Sequence, residues 1–312
     1  MPSDAIVLDG VTKRYGAVTA VKDLSLSVQR GEMFGLIGPD GAGKTTTIRL
    51  ICGLLSADAG RVRVLDLDPV GDHRRVTDSV GYFSQRFSLY GDLSIDENIA
   101  FFAEIHGVRD YATRRERLLE MTQLAPFRTR LADRLSGGMK QKLALACTLV
   151  HEPDLIVLDE PTTGVDPVSR REFWKLLSEF LSQGVTIVMT TPYLDEAERC
   201  ARVALLHEGR LLALDSPTAL RATLPGRLYE VIVGKHRDAI DVLKRTAGVS
   251  DVQSFGERAH VRVAHGDGDA SARLTAALRT AGFAVASVRP IQASLEDVFI
   301  VRLHLETHEA TS

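Results

Sequence analysis

The sequence predicts an α/β core with an antiparallel β part at its start and an inserted helical subdomain, followed by a smaller α+β domain. Three observations predict it. Over roughly the first 220 residues, short β-branched runs alternate with longer helical patterns. Between Ile95 and Leu149 the pattern is helical alone, and beyond Leu224-Pro225-Gly226 the order becomes strand, helix, strand, strand, helix, strand.

In chain order, strands are expected at Ala5–Leu8, Leu24–Val28, Met33–Ile37, Val80–Phe83, Leu155–Leu158, Val185–Met189 and Val203–Leu206. Most of the later runs end in glycine, acidic or Thr/Pro punctuation and then a helix, which is the pattern of parallel strands packed between helices. In the helical stretch Ile95, Ile99 and Phe102 share one face, and Leu118, Met121 and Leu124 share another. The last part reads as strand Arg227–Val233, helix Asp238–Ala247, strands Val249–Phe255 and Ala259–Ala264, helix Ser271–Ala281 and strand Phe283–Arg289, the split βαβ order of a ferredoxin-like module. The expected division is therefore a domain at 1–224 with its helical subdomain at about 95–150, a second at 226–304, and a disordered tail at 305–312.

Composition narrows the functional classes. The 312 residues are 45% hydrophobic and 25% charged with a net charge of -3, an ordinary globular balance that gives no basic surface for nucleic acid. Apolar runs such as Leu143–Val150 fall well short of the ~20 residues that span a bilayer, and Met1–Val7 lacks the basic start of a secretory signal, so a cytosolic location is expected. Cys52, Cys147 and Cys200 are odd in number and far apart, which suits buried thiols better than disulfides or metal ligands.

Gly38-Pro39-Asp40-Gly41-Ala42-Gly43-Lys44-Thr45 fits G-x-x-x-x-G-K-[ST] between an apolar strand and a helix opening at Lys44, so the core is a P-loop NTPase. Glycines let backbone N–H groups surround phosphate oxygens, the helix N-terminus adds its positive dipole end, and Lys44 bridges the β and γ phosphates of ATP. Thr46 continues the cradle, and Thr45 supplies a hydroxyl to Mg²⁺. Leu155–Leu158 delivers Asp159 and Glu160 at the C-terminal end of a strand, where parallel α/β sheets bind ligands. Asp159 is expected to hold Mg²⁺ through water, and Glu160 to orient or deprotonate the attacking water.

Leu135-Ser136-Gly137-Gly138-Met139-Lys140-Gln141 then reads L-S-G-G-x-x-Q before a helix, and here the chain resembles the ABC ATPase family over roughly residues 4–223. Ser136 with the Gly137 and Gly138 N–H groups makes a second anion site at a helix N-terminus. The resemblance implies that this segment serves the nucleotide of a second ATPase subunit, in a head-to-tail homodimer or heterodimer around two ATP molecules. It also matches Gln85 to a glutamine that senses Mg²⁺ and the membrane partner, Tyr15 to the aromatic that stacks on adenine, and Gly164-Val165-Asp166-Pro167 to the loop that crosses the dimer interface.

The pattern departs at Thr190-Thr191-Pro192-Tyr193-Leu194-Asp195-Glu196-Ala197, where Pro192 stands in the place of a histidine that contacts the γ-phosphate. Proline offers no donor, so a charge-assisted contact of about 1.5–3 kcal/mol is lost, equivalent to roughly 10- to 100-fold in rate unless a neighbour or water substitutes. Slow but real hydrolysis is the expectation, with a histidine-bearing partner subunit as its sharper form. Asp40 replaces a more usual asparagine with little expected consequence.

Phe87–Phe102, with Ser94 and Glu97 in capping-box spacing, reads both as a groove for a helix of an integral membrane permease and as a small core. Ala293–Ile300 resembles the C-terminal extension of drug, antibiotic and lipid exporters that pair with ABC-2-type permeases. The expected function is thus the ATP-hydrolysing subunit of an exporter, peripheral on the cytoplasmic face of the plasma (inner) membrane. Its alternatives are a soluble non-transport ABC ATPase and a slow nucleotide-gated module. Substrate contacts are expected to lie in the permease.

Overall fold

The computed structural model describes residues 4–85, 89–234, 236–264 and 269–309, and the chain divides into two compact units, 1–217 and 218–312. The first unit opens with β1 (Asp4–Tyr15) and β2 (Val18–Gln29), a hairpin turning at Gly16 with φ 57°. Next come β3 (Met33–Ile37), α1 (Lys44–Ile51), β4 (Ala59–Val64), α2 (His73–Ser79), β5 (Val80–Phe83), α3 (Ile95–Ile105), α4 (Ala112–Met121) and α5 (Gly137–Leu149). Then follow β6 (Leu155–Asp159), α6 (Pro167–Ser182), β7 (Thr186–Thr191), α7 (Leu194–Ala197), β8 (Arg202–His207), β9 (Arg210–Asp215) and α8 (Pro217–Ala222), whose first residue closes the unit.

Two sheets build this unit. An antiparallel sheet has the order β2-β1-β4, and a six-stranded sheet has the order β5-β6-β7-β3-β8-β9, parallel except for β9. Every residue of β3, β6 and β7 is buried, as strands covered on both faces must be, and this explains their unbroken apolar sequences. β7 lies between β3 and β6, so the loops following all three strands open at the same edge of the sheet.

Several elements extend or depart from expectation. β1 and β2 run to 12 residues each, and β4 and β9 were not foreseen. β4 reads Ala-Gly-Arg-Val-Arg-Val, too polar to stand out, and is a strand because Ile6–Asp9 of β1 pair with it. β9 folds back on β8 through Glu208 and Gly209, both at positive φ. The helical stretch at 95–149 matches expectation, with Ser94 and Glu97 closing a capping box on α3. Phe87 lies outside the described residues.

The second unit contains β10 (Arg227–Val233), α9 (His236–Arg245), β11 (Val249–Phe255), β12 (Arg258–Val263), α10 (Ala270–Thr280), β13 (Val285–Ile291) and α11 (Leu295–Glu309). The sheet order β11-β12-β10-β13 is wholly antiparallel and places the two outer-sequence strands, β10 and β13, side by side. The unit begins at Thr218, ahead of the Leu224-Pro225-Gly226 break. The segment from 305, expected to be disordered, stays helical to Glu309 because neither glycine nor proline interrupts it; residues 310–312 lie outside the described residues. The three cysteines are free and buried. Among the described residues no helix is long and apolar enough to cross a membrane.

Candidate nucleotide site

The loop between β3 and α1 is shaped by glycines that nothing larger could replace. A Cβ on Gly38 would run into the Leu206 carbonyl oxygen, and one on Gly43 into the Ala20 carbonyl oxygen; Gly43, at φ 97°, caps α1 without a side-chain bond. The backbone N–H groups at the start of α1 therefore remain available to an anion. Lys44 is 4% exposed, and its Nζ donates to the Gly38 and Pro39 carbonyl oxygens at 2.8 and 3.1 Å and lies 3.3 Å from Glu160 Oε1.

Glu160 follows β6 at φ 50°, in the left-handed region that a non-glycine residue occupies at a cost of about 1 kcal/mol or more. Gln85 Nε2 donates to its Oε2 at 3.0 Å. Asp159, 1% exposed, accepts from Thr45 Oγ1 at 3.1 Å and from Thr190 Oγ1 at 2.8 Å, both on Oδ1. Its charge is felt nearby: burial first, then Asp159, pushes the Tyr82 phenol up to about 12 and holds the Cys52 thiol above its ordinary range.

One cavity of about 600 Å³ is lined by Tyr15, Asp40, Gly41, Gly43, Lys44, Thr45, Thr46, Gln85 and Glu160 together with Val18, Lys22 and Glu208; Gly38, Pro39, Ala42 and Asp159 are not part of its lining. Tyr15 and Val18, 46% and 66% exposed, give an apolar end suited to a planar base, and the loop end is suited to phosphates. Hydroxyl and carboxylate oxygens on Thr45 and Asp159 are hard donors of the kind Mg²⁺ takes. Among the described residues no group of three or more His, Cys, Asp or Glu side chains converges, and Mg²⁺ bound with phosphates needs only one or two carboxylates.

Ser136, Gly137 and Gly138 do not line this cavity. Ser136 caps α5, accepting from Met139 N at 3.3 Å, and both Ser136 and Gly137 are exposed. Gly138 is buried, and a Cβ on it would run into Ser169 Oγ, so at the start of α5 the exposed groups are those of Ser136 and Gly137. A second cavity of about 380 Å³, lined by Phe83, Leu89, Gly91, Lys140 and Gln141, also contains Gln85 and Glu160. Its rim is fixed by the fully buried Asn98, whose amide accepts from Tyr90 N and donates to the Tyr90, Leu93 and Ser94 carbonyls.

The sequence reading missed two side chains at this site. Thr190 was read only as strand punctuation, and its contact with Asp159 depends on the β6–β7 register, which pairs Asp159 with Thr190. Glu196, 1% exposed, accepts from Thr162 Oγ1 at 2.6 Å and Thr191 Oγ1 at 2.7 Å, and so ties the loop after β6 to the turn at Pro192.

Comparisons with known proteins agree with this geometry. The ABC transporter family model matches residues 21–163. The chain is 44% identical over 255 residues to the probable multidrug ABC transporter ATP-binding protein YbhF of Escherichia coli (strain K12), covering 80% of this chain and 44% of that protein, so it spans under half the length of that relative. It is 34% identical over 306 residues to the daunorubicin resistance ATP-binding protein DrrA2 of Streptomyces coeruleorubidus, covering 96% of this chain and 95% of that one. Among solved structures, the dimeric structure of MJ0796, a bacterial ABC transporter cassette, superposes with a TM-score of 0.60 at 28% identity, over 68% of this chain and 98% of that one. With a likeness that runs nearly end to end of DrrA2 and a core that superposes on a solved cassette, this chain belongs to the ABC transporter family, among its ATP-binding proteins.

Proposed function

We propose that the chain binds ATP with Mg²⁺ and hydrolyses it as the energy-coupling subunit of an exporter, acting as a dimer on a separate ABC-2-type permease at the cytoplasmic face of the membrane. The observation that supports this most is the convergence of Lys44, Gln85 and Glu160, with Asp159 behind Thr45, on one cavity with an apolar end and a phosphate-shaped end.

In this reading the amides after Gly38 and the Lys44 ammonium hold the β and γ phosphates, which compete with the Gly38 and Pro39 carbonyls for the lysine. Thr45, Asp159 and Gln85 would hold Mg²⁺, which when bound would supply charge neutralisation on the phosphates. Glu160 takes or orients the proton of the attacking water, and the Gln85 amide aims its carboxylate. Ser136 and Gly137 are exposed and do not line this cavity, so in this reading they grip the γ-phosphate held by a second subunit, and a second subunit's Ser136 completes this one. The names of the relatives, multidrug transport and daunorubicin resistance, favour export.

A second reading rests on Pro192, which supplies no donor where the family has a histidine: turnover is slow, and a histidine-bearing partner subunit carries the faster site. ATP hydrolysis by the purified chain, alone and with its co-expressed permease, tests both. Turnover that rises with the permease and disappears in Glu160→Gln supports the exporter motor. ATP binding without turnover under any condition removes it in favour of the partner-dependent reading.

A further inference from the structure

We infer that Thr190 is a positioning residue for hydrolysis, its single hydroxyl fixing the backbone of the catalytic Glu160 and the carboxylate of Asp159 together. This rests on the ATPase reading above. The fully buried Thr190 Oγ1 accepts from Glu160 N at 2.9 Å and donates to Asp159 Oδ1 at 2.8 Å. A hydroxyl has one donor and room to accept, so one oxygen bonds two neighbouring groups with opposite needs.

The fold explains why such a brace is useful. β6 ends at Asp159, and Glu160 turns off the strand into the left-handed region, a conformation that persists only where surroundings hold it. β7 is the strand between β6 and β3, so a side chain at the end of β7 stands beside both the peptide after β6 and the loop after β3. Thr190 stands there, paired in register with Asp159. Thr45 Oγ1 bonds the same Asp159 oxygen at 3.1 Å, so the phosphate loop, the cation-binding carboxylate and the general-base peptide meet through Asp159 Oδ1 and the Thr190 hydroxyl. The Glu160 N–H is thus tied to β7 through the Thr190 hydroxyl. Thr190 itself is not part of the cavity lining. Thr190 therefore sets where Glu160 points without holding nucleotide.

The test uses the full-length chain as wild type, Glu160→Gln, Thr190→Val, Thr190→Ala and Thr190→Ser, measuring kcat, KM, ATP affinity in equilibrium binding, and amide exchange at Glu160. Valine keeps the shape and removes the hydroxyl, whereas serine keeps the hydroxyl. Thr190→Val is expected to lower kcat by about 10- to 100-fold with KM and ATP affinity within about threefold, to speed exchange of the Glu160 amide, and to be reversed by Thr190→Ser. Wild-type kcat in Thr190→Val, or equal losses in the serine and valine variants, would overturn the inference. If Thr190→Val does not fold, serine against alanine decides by the same criterion. A wild type that turns over no faster than Glu160→Gln removes the ATPase reading and with it the role in hydrolysis, and the exchange measurement then decides the brace alone: an unchanged Glu160 amide in the valine or alanine variant overturns it, and a faster one keeps Thr190 as the residue that holds the Glu160 peptide.

Discussion

The two units bury carboxylates in opposite settings. At the end of β6, Asp159 is bonded by the neutral hydroxyls of Thr45 and Thr190, and Glu160 shares Lys44 with two carbonyl oxygens. In the second unit Glu230 of β10 is clasped by Arg258 at 3.1 Å and Arg289 at 2.7 Å, and Asp297 of α11 accepts from Ser294 N and Oγ at 2.8 and 2.7 Å and pairs with His260 Nδ1 at 2.7 Å. Glu230 has two guanidinium groups to offset its charge, whereas the bonds to Asp159 come from neutral hydroxyls, which leave a carboxylate able to take a cation. The Glu230 carboxyl is drawn below its ordinary range, first by the Arg289 bond.

The sharpest way to break this contrast is Glu160→Gln. It should lower phosphate release by on the order of 10²- to 10⁴-fold while leaving amide exchange across residues 226–309 unchanged. Pro192→His comes next: a gain of about 10- to 100-fold is expected, and an unchanged rate would show that the missing donor has no consequence.

Asp297→Ala probes the other side. It leaves Ser294 and His260 without their partner and should destabilise the second unit by about 1–3 kcal/mol in denaturant unfolding, with turnover per folded chain unchanged. Loss of turnover at full stability would instead place Asp297 in the working machinery. Burial alone would raise the Asp297 pKa, but the His260 and Ser294 bonds outweigh it and hold the carboxyl below its ordinary range. Since the folded value is the lower one, this stabilisation is present above the unfolded value and fades as pH falls through it towards the folded value; acid titration of wild type against Asp297→Ala should converge below about pH 4. The smallest effect belongs to Asp40→Asn on the exposed phosphate loop, within about twofold in ATP affinity.

Much of the site was legible from contiguous residues. The glycine loop, Asp159-Glu160 and Ser136-Gly137-Gly138 are local patterns, because a phosphate cradle, a strand end and a helix start are each built from neighbours in the chain. The split βαβ order of the second unit was likewise readable from alternation of element types, whereas β4 and the continued helix α11 were not, the first being a polar strand made by its partner and the second a tail with no compositional break.

Sequence by itself determined the α/β class, the phosphate loop and the identity of the acidic pair, since each follows from periodicity or from backbone geometry that only certain residues permit. Tertiary structure alone decided what surrounds them: that β7 enters the sheet between β3 and β6, that Thr190 falls opposite Asp159, and that Gln85 meets Glu160 across 75 residues of chain. The physical reason is that strand order and register are settled by the packing of the whole sheet, so which polar groups share a buried hydroxyl is a property of long-range pairing that local composition does not carry.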